Sequence, residues 1–555
     1  MPVMSGGRFL AETLHGYGVS HLFWVPGIFH SALAAMEEKG ITRVLAHSEV
    51  AAAYMADGYA RASRKPGVCM SQAVGAANIC AGLRDAFLAN SPVIAITGGH
   101  GSDARYRHPY QVIDDLAMFE PITRFNARVE KLDRFPDLLR QAFRAATTGP
   151  KGPVHLELGG PHGESVRGEG NLELIIEKQF GSYPPYRLEP DMAQVKEAAT
   201  LLAKAQRPVI IAGGGVTASD AGRELVKLAE ALSIPVAASL NAKDVIPENH
   251  PLAMGLPGRY GRWSTNQALQ EADLVFFVGS SAGGLTTDDW KAPPVGTPAI
   301  QLDIDPMEVG RNYPVQVGLV GDCKVTLQRL LDVAQPTASR DPWITRVQDL
   351  LGEWRAEMEP KLNSDSSPIR PERICRELTR FLPSNAVVVS DTGHSAVWSG
   401  NLIGIQHPTQ RFIRCAGTLG WSLPASLGVK CALPNRPVIC FTGDGGFCYH
   451  PYELETAARR GIKVVVVVNN NHALQQSRAG VENAYGGPRR GRSDEMWVFN
   501  DVNLAKLAED MGCFGVRVER PKDLLPAMER ALASDRPAVI DVVSNVDAVP
   551  PRAWR

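Results

Sequence analysis

The chain has 555 residues, 44% of them hydrophobic, with 58 Lys and Arg against 59 Asp and Glu for a formal net charge of −1. That length corresponds to about three to four domains at roughly 150 residues each, and the charge balance excludes the broad basic face that nucleic-acid binding needs. No apolar run is long enough to span a bilayer, MPVMSGGRFLAETL lacks a signal peptide's charged start and long apolar stretch, and the nine cysteines form no CxxC pair, which points to small buried thiols in a cytoplasmic protein rather than a zinc or disulfide framework.

In chain order, the first pronounced element is the run His47-Ser48-Glu49-Val50-Ala51-Ala52-Ala53-Tyr54-Met55-Ala56-Asp57-Gly58-Tyr59-Ala60-Arg61. It reads as a helix with small residues along one side, suited to close packing. Glu49 falls at its start, where a carboxylate interacts favourably with the helix dipole. A strand follows at Pro92–Thr97, then a polar loop over Gly98–His108. Pro153–Leu158 reads as a strand with Pro at its tolerated first position, and Pro161–Pro185 as a linker. The middle third restarts with a strand at Pro208–Ala212, the turn Gly213-Gly214-Gly215 and a helix N-capped by Ser219, whose apolar residues recur at helical spacing. Strands are expected at Ile234–Ala238, Leu274–Val278 and Ala299–Asp303. The polar stretch Gln335–Asp341, a helix and Leu362–Pro371 form a second linker region. The last third has strands at Ala386–Ser390, Val438–Thr442, Lys463–Val468 and Ala538–Val542. Three strand–helix units of similar size built on largely parallel sheets are the expected architecture.

The segment Gly443-Asp444-Gly445-Gly446, followed by Val464–Val468 and Asn469-Asn470-Asn471, carries the most chemistry. Val438–Thr442 should open its carboxyl end into a ligand crevice. The glycines let main-chain N–H groups approach a diphosphate, and a helix starting near Tyr452 aims its dipole there. Asp444 offers a carboxylate to a hard cation such as Mg²⁺. The next strand delivers an Asn carbonyl to the same cation and leaves positions for diphosphate oxygens. A Gly-Asp-Gly triplet alone is an ordinary turn; the Asn run at the end of the following strand makes the pair a specific signal.

Together these residues resemble the thiamin-diphosphate enzyme superfamily. The resemblance implies Asp444, Asn471 and the main-chain carbonyl of Ala473 around the metal; counting back from Leu474 favours Asn471, whereas a gap favours Asn470. In that superfamily the Glu of H-x-E-x-x-A-x-x-x-A-x-G-Y-A-R, here Glu49, contacts the pyrimidine ring, and a buried carboxyl with a raised pKa exchanges a proton with the ring nitrogen. Gly417-Thr418-Leu419-Gly420-Trp421-Ser422-Leu423-Pro424-Ala425 resembles the segment beneath the bent cofactor. Leu419 takes the place of the apolar prop between the two rings, and groups around Gly417 and Leu419 hold the aminopyrimidine. Thr392-Gly393-His394-Ser395 resembles the loop over the diphosphate, and Gly75-Ala76-Ala77-Asn78 the early Gly-rich turn. Gln111 falls where the group has a Gln lining the reaction centre, with a solvated loop amide as the alternative. The resemblance covers nearly the whole chain and is nearest to acetolactate synthase, benzaldehyde lyase and similar proteins. It implies an obligate dimer, or a tetramer, with the Glu-bearing domain of one subunit facing the diphosphate-binding domain of another.

Departures from the pattern narrow the reading. The segment Gly279–Trp290 lacks the Arg of the acetolactate synthase F-D-D-R-V-T-G stretch, which speaks against FAD, and the glycines 213–215 alone do not restore it. Arg478 or Ser477 stands where simple 2-oxo acid decarboxylases carry a Glu, and Glu49 argues against a glyoxylate carboligase. His472, Gln475, Gln476, His100 and His108 could orient a substrate or serve as loop residues; Arg489, Arg490 and Arg492 could cover an anionic substrate or form a solvated face. The expectation is therefore an α/β protein of three doubly wound, largely parallel-sheet domains: 1–165 for the pyrimidine, 186–335 central, 366–555 for the diphosphate. Its expected activity is that of a thiamin-diphosphate- and Mg²⁺-dependent carbon–carbon carboligase or lyase, acetolactate synthase-like, acting on a small carbonyl substrate, a 2-oxo acid or 2-hydroxy ketone, through an enamine. The alternatives are a 2-hydroxyacyl-CoA lyase or oxalyl-CoA decarboxylase, and a catalytically silent nucleotide-binding regulatory protein.

Overall fold

The computed structural model describes residues 3–25, 27–104, 106–334 and 339–555; Gln335, in the expected polar stretch 335–341, lies outside the described residues. Three six-stranded sheets form the frame, and every neighbouring pair of strands within them is parallel. The N-terminal sheet has the order Thr42–Leu45, His21–Trp24, Gly67–Ser71, Val93–Gly98, Val154–Leu158, Phe125–Val129. The central sheet runs Ala253–Gly255, Val236–Ala238, Pro208–Ala212, Leu274–Val278, Ala299–Asp303, Val317–Val320. The C-terminal sheet runs Arg411–Arg414, Val387–Ser390, Val438–Gly443, Val465–Asn470, Ala538–Val543, Phe514–Val518. The inner strands are buried along their length, as expected for β-branched runs covered by helices on both faces. The three-domain, parallel α/β architecture agrees with the expectation from the sequence.

Several local expectations need correction. Ser219 does not cap a helix: it ends the short helix Gly214–Ser219, and its hydroxyl donates to Asp322 Oδ2 at 2.6 Å while accepting from the Lys324 N–H. The following helix is Gly222–Leu232. The stretch 161–185 is not a free linker, because Glu169–Asn171 pairs antiparallel with Val3–Ser5 and Phe180 is buried against the N-terminal core. The strand expected at Lys463–Val468 lies two residues later, at Val465–Asn470, so two of the three asparagines belong to it.

Two features of the fold position the functional residues. The chain passes from Val387–Ser390 outward to Arg411–Arg414 and then back across to Val438–Gly443, so the C-terminal sheet reverses its winding between Val387–Ser390 and Val438–Gly443. The carboxyl ends of strands at such a reversal open a crevice. The helix Glu49–Ser63 lies against the helix Ser422–Ala432 of the C-terminal domain. A Cβ on Gly58 would sit 2.1 Å from the Ala425 carbonyl oxygen, and one on Gly428 1.8 Å from that of Met55. The small-residue face read from the sequence is thus the face on which the N- and C-terminal domains meet.

Candidate active site

The expected diphosphate and metal residues gather at the ends of three adjacent strands. Gly443 closes the strand Val438–Gly443, and Asp444 begins the helical turn Asp444–Phe447 directly after it. This turn, rather than the helix near Tyr452, is the one that opens at the crevice. The helix Glu453–Arg460 starts with Glu453 accepting the His47 N–H at 2.9 Å and Glu455 paired with the His47 ring at 2.7 Å, so its first turn serves the domain contact. Gly446 permits a close approach: a Cβ there would lie 2.9 Å from Thr442 Oγ1 and 3.1 Å from the Asp391 carboxylate. Ser395 Oγ would sit 3.3 Å from a Cβ on Gly443, which places Thr392-Gly393-His394-Ser395 beside the glycine turn. Gly393 adopts φ +66° and starts the helix His394–Leu402.

Asp444 is 6% exposed, and its Oδ2 accepts the Ala473 N–H at 2.9 Å. Burial pushes its carboxyl up to about 7, against the pull of the main-chain N–H groups of Ala473 and Gly445. His472, with φ +56°, supplies the bend that turns the Ala473 N–H back toward Asp444.

The asparagines divide by their partners. Asn470 donates Nδ2–H to Asp541 at 2.8 Å and accepts the His472 N–H, so its side chain is consumed within the fold. For Asn471 the orientation follows from Gln475. The Gln475 Nε2 group donates to the carbonyls of Val546 and Ala548, at 2.6 and 2.7 Å, which turns Oε1 the other way. That oxygen accepts Asn471 Nδ2–H at 3.0 Å, and Asn471 Oδ1 is left buried without a hydrogen-bond partner among the described residues. A buried carbonyl oxygen is rarely left unpaired, and a hard cation beside Asp444 would satisfy it. Gln475 Oε1 also lies 3.3 Å from His394 Nδ1, so this nitrogen carries the proton and Nε2 is the free acceptor; burial holds the His394 pKa below its usual value. Gln475 is therefore a bracket for its neighbours and is not free to orient a substrate.

Two buried carboxylates absent from the sequence reading hold the loops together. Asp391, 1% exposed, follows the strand Val387–Ser390. It accepts the N–H groups of Thr392, Gly420 and Ser422 at 2.9, 3.3 and 3.1 Å, and the Ser422 hydroxyl at 2.6 Å. It thereby ties the loop Thr392–Ser395 to the segment carrying Gly417 and Leu419. Asp85, fully buried, reaches the same segment from the N-terminal domain and accepts N–H groups from Ala416, Gly417 and Thr418. A carboxylate directly after the strand is a visible signal for Asp391; nothing local marks Asp85.

Glu49 and Gly75 form a second group. Glu49 is the first residue of its helix, behind the N-cap Ser48, and is partly rather than fully buried. Its Oε2 accepts Asn78 Nδ2–H at 3.0 Å, and a Cβ on Gly75 would come within 2.7 Å of its carboxylate, so a side chain there would displace Glu49. Among the described residues no hydrogen bond or ion pair joins Glu49 to Asp444, Asn471 or the loops 392–395 and 417–419. His450 lies between the groups, 3.5 Å from Ser48 Oγ and edge-on to Tyr54, with its pKa pushed down to about 4 by burial. Gln111 lies in a loop with φ +61° and makes no hydrogen bond among the described residues. Arg478 is engaged by Glu482 and Asp547, at 2.8 and 2.6 Å.

Residues 4–118 match the N-terminal TPP binding domain of thiamine pyrophosphate enzymes, residues 195–330 their central domain and residues 391–542 their C-terminal TPP binding domain. The chain is 33% identical to a probable acetolactate synthase large subunit of Methanocaldococcus jannaschii, over 99% of this chain and 93% of that protein. It is 33% identical to the corresponding protein of Methanococcus aeolicus, over 99% and 94%. The acetolactate synthase large subunit of Corynebacterium glutamicum is 30% identical, over 98% and 87%. On the three domain matches and these full-length relatives, the chain belongs to the thiamin-diphosphate-dependent enzymes, in their acetolactate synthase-like group.

Proposed function

We propose that the protein is a carboligase or lyase that uses thiamin diphosphate and Mg²⁺ to make or break a carbon–carbon bond next to a carbonyl, with a 2-oxo acid or 2-hydroxy ketone as donor. The observation that carries the cofactor assignment is the buried Oδ1 of Asn471, without a hydrogen-bond partner among the described residues, two positions before the Ala473 N–H that bonds the buried Asp444. The relatives, acetolactate synthases by name, support the reaction class.

The residues fit the cofactor and its metal. Asp444, Asn471 and the Ala473 carbonyl would hold Mg²⁺, and the N–H groups of the turn Gly443–Gly446 with the loop Thr392–Ser395 would receive the diphosphate. Gly417 and Leu419 would receive the aminopyrimidine, and Glu49 would hold and move the proton at its ring nitrogen. Bound thiamin diphosphate supplies the electron sink that lets a carbonyl carbon act as an acyl-anion equivalent. The burial of Asp391, Ser422 and Trp421 keeps water from the loops' undersides, so their donors stay fixed when the cofactor binds. Gln111 is assigned the substrate side on the resemblance alone.

That no hydrogen bond or ion pair joins Glu49 to Asp444 among the described residues supports a homodimer in which Glu49 serves the partner's cofactor. Val74, Tyr449 and Tyr452, exposed to 49, 58 and 64%, give apolar surface near both groups for a second copy to cover.

The central domain supports a reading without FAD. The N–H groups of Gly213 and Gly215 are already donated to the carbonyls of Val278 and Gly279, at 2.8 and 2.9 Å, and a Cβ on Gly213 would lie 2.2 Å from Gly279 O, so the glycine turn closes on its neighbour. Asp288 is engaged by Arg259 and Trp554 Nε1. Purified protein is expected to lack a flavin absorbance band and to gain no activity from added FAD; a stoichiometric flavin overturns this part of the reading.

The function is tested by incubating protein loaded with thiamin diphosphate and Mg²⁺ with a panel of 2-oxo acids, 2-hydroxy ketones and aldehydes and identifying products by mass spectrometry. A product with a new or broken carbon–carbon bond, dependent on both cofactor and metal, is expected; its absence across the panel overturns the assignment. The asparagines provide a narrower check. Asn471→Ala should weaken Mg²⁺ binding with little change in thermal midpoint. Asn470→Ala should destabilise the fold by about 1–3 kcal/mol, because it strands the buried Asp541 oxygen. Equal metal affinities in the two variants reject the choice of Asn471.

A further inference from the structure

The loop Ala416-Gly417-Thr418 is held by a carboxylate from another domain. Asp85, on the helix Ala76–Leu88 of the N-terminal domain, is 0% exposed. Its Oδ1 accepts the Ala416 N–H at 2.8 Å, and its Oδ2 accepts those of Gly417 and Thr418 at 3.1 and 3.2 Å. Arg61 Nη2 donates to the same carboxylate at 3.0 Å, and it also bonds Asp57 Oδ2 at 2.6 Å and donates through Nη1 to the Arg414 carbonyl at 2.6 Å. Asp57 Oδ2 in turn accepts Trp421 Nε1–H at 2.9 Å. One buried group of three charged side chains therefore grips the 414–421 segment at both ends and along its middle.

The direction of this grip has a stereochemical consequence. In a trans peptide the C=O points opposite to the N–H of the following residue. Three consecutive N–H groups converging on one anion therefore turn the carbonyls of Cys415, Ala416 and Gly417 away from Asp85. Gly417 is exposed, with no heavy atom within 4 Å of where its Cβ would stand. Without the carboxylate, nothing else in the described structure binds these three N–H groups.

We propose that Asp85 is a positioning residue for the reaction: by gathering the three N–H groups, it aims the Gly417 carbonyl at the aminopyrimidine of the bound cofactor. This rests on the reading above that the Gly417–Leu419 loop receives that ring. Asp85 touches neither cofactor nor substrate; it acts through the loop.

The test uses the full-length protein and Asp85→Asn, with thiamin diphosphate and inorganic pyrophosphate as separate probes, each with Mg²⁺. The substitution puts an NH₂ where an N–H needs an acceptor, and it loosens the loop under the ring together with the Arg61 contact that helps hold the 414–421 segment. Thiamin diphosphate affinity should fall tenfold or more, with loss of the near-ultraviolet circular dichroism band of the bound aminopyrimidine, while pyrophosphate affinity stays within twofold of wild type. Unchanged thiamin diphosphate affinity, or an equal loss for both probes, overturns the positioning role. A wild-type protein that binds neither probe removes the cofactor reading itself, and the proposal with it. Should Asp85→Asn not fold, hydrogen exchange in wild type decides: the amides of residues 416–418 must be protected before cofactor is added, and exchange at unprotected rates overturns the proposal.

Discussion

Glu49→Gln is expected to bind thiamin diphosphate about as tightly as wild type and to lose turnover by roughly 10²- to 10⁴-fold, the range a positioned general acid–base group contributes. The amide keeps the shape and can still accept the Asn78 Nδ2–H, so the packing against Gly75 survives. What it cannot do is exchange a proton with the ring nitrogen. The measurement pairs kcat with the exchange rate of the cofactor's C2 proton, followed by NMR after acid quench. Both should drop together, since Glu49 is assigned to the activation step and not to substrate binding. Undiminished kcat would remove Glu49 from the mechanism; a normal exchange rate with low kcat would move it to a later step. The dimer follows from the same residue. If Glu49 serves the partner's cofactor, mixing Glu49→Gln with Asp444→Asn chains should restore activity to one site in each heterodimer.

The strands read from the sequence are inner ones, and every edge strand was missed. Leu274–Val278 and Ala299–Asp303 are bounded as expected, because buried parallel strands read as continuous apolar runs. Thr42–Leu45, Phe125–Val129, Arg411–Arg414 and Phe514–Val518 carry Arg or Asn among their apolar residues, and most of them are only partly buried. Each lies at the edge of its sheet, where one side needs no covering and the apolar signal fades. Gly67–Ser71 is a different case. It is an inner strand whose Gly, Cys, Met and Ser give no β-branched run, although all five residues are buried.

The site was legible where its chemistry is written in consecutive residues. Asp444 and the asparagines could be found because a turn and the end of the next strand are close both in sequence and in space. Asp391 was readable in principle, as a carboxylate on the last step of a strand that opens the crevice. Asp85 was not, since its three donors lie 331–333 positions away and belong to another domain. Counting back from Leu474 already favours Asn471 over Asn470; what no motif shows is the Gln475 amide, oriented by Val546 and Ala548, which supports that choice. Ser219 shows the opposite failure: a Ser before a periodic run fits an N-cap, but the Asp322 carboxylate outcompeted the helix for its hydroxyl.

Asp444→Asn should weaken Mg²⁺-dependent cofactor binding on the order of 10²-fold or more, the scale of stripping one charge from a buried ionic contact at about 3–5 kcal/mol. The expectation rests on which carboxylates near the turn have an oxygen to spare. Asp391 is taken by four donors, and Asp541 by Asn470, the Leu504 N–H and Arg517. Asp444 accepts the Ala473 N–H on Oδ2 and is drawn on by the Gly445 N–H, and among the described residues no cationic side chain pairs with it. The amide keeps that acceptor, so the turn should hold its shape. A carboxyl whose folded pKa lies above its unfolded value destabilises the fold as pH rises through that interval. Replacing it by a neutral amide should therefore leave the metal-free protein at least as stable at pH 8. Calorimetric titration of Mg²⁺ with thiamin diphosphate, beside a thermal scan of the metal-free variant, separates the two effects. Loss of affinity with an intact melt is the expected result, whereas unchanged affinity would place the metal on other ligands.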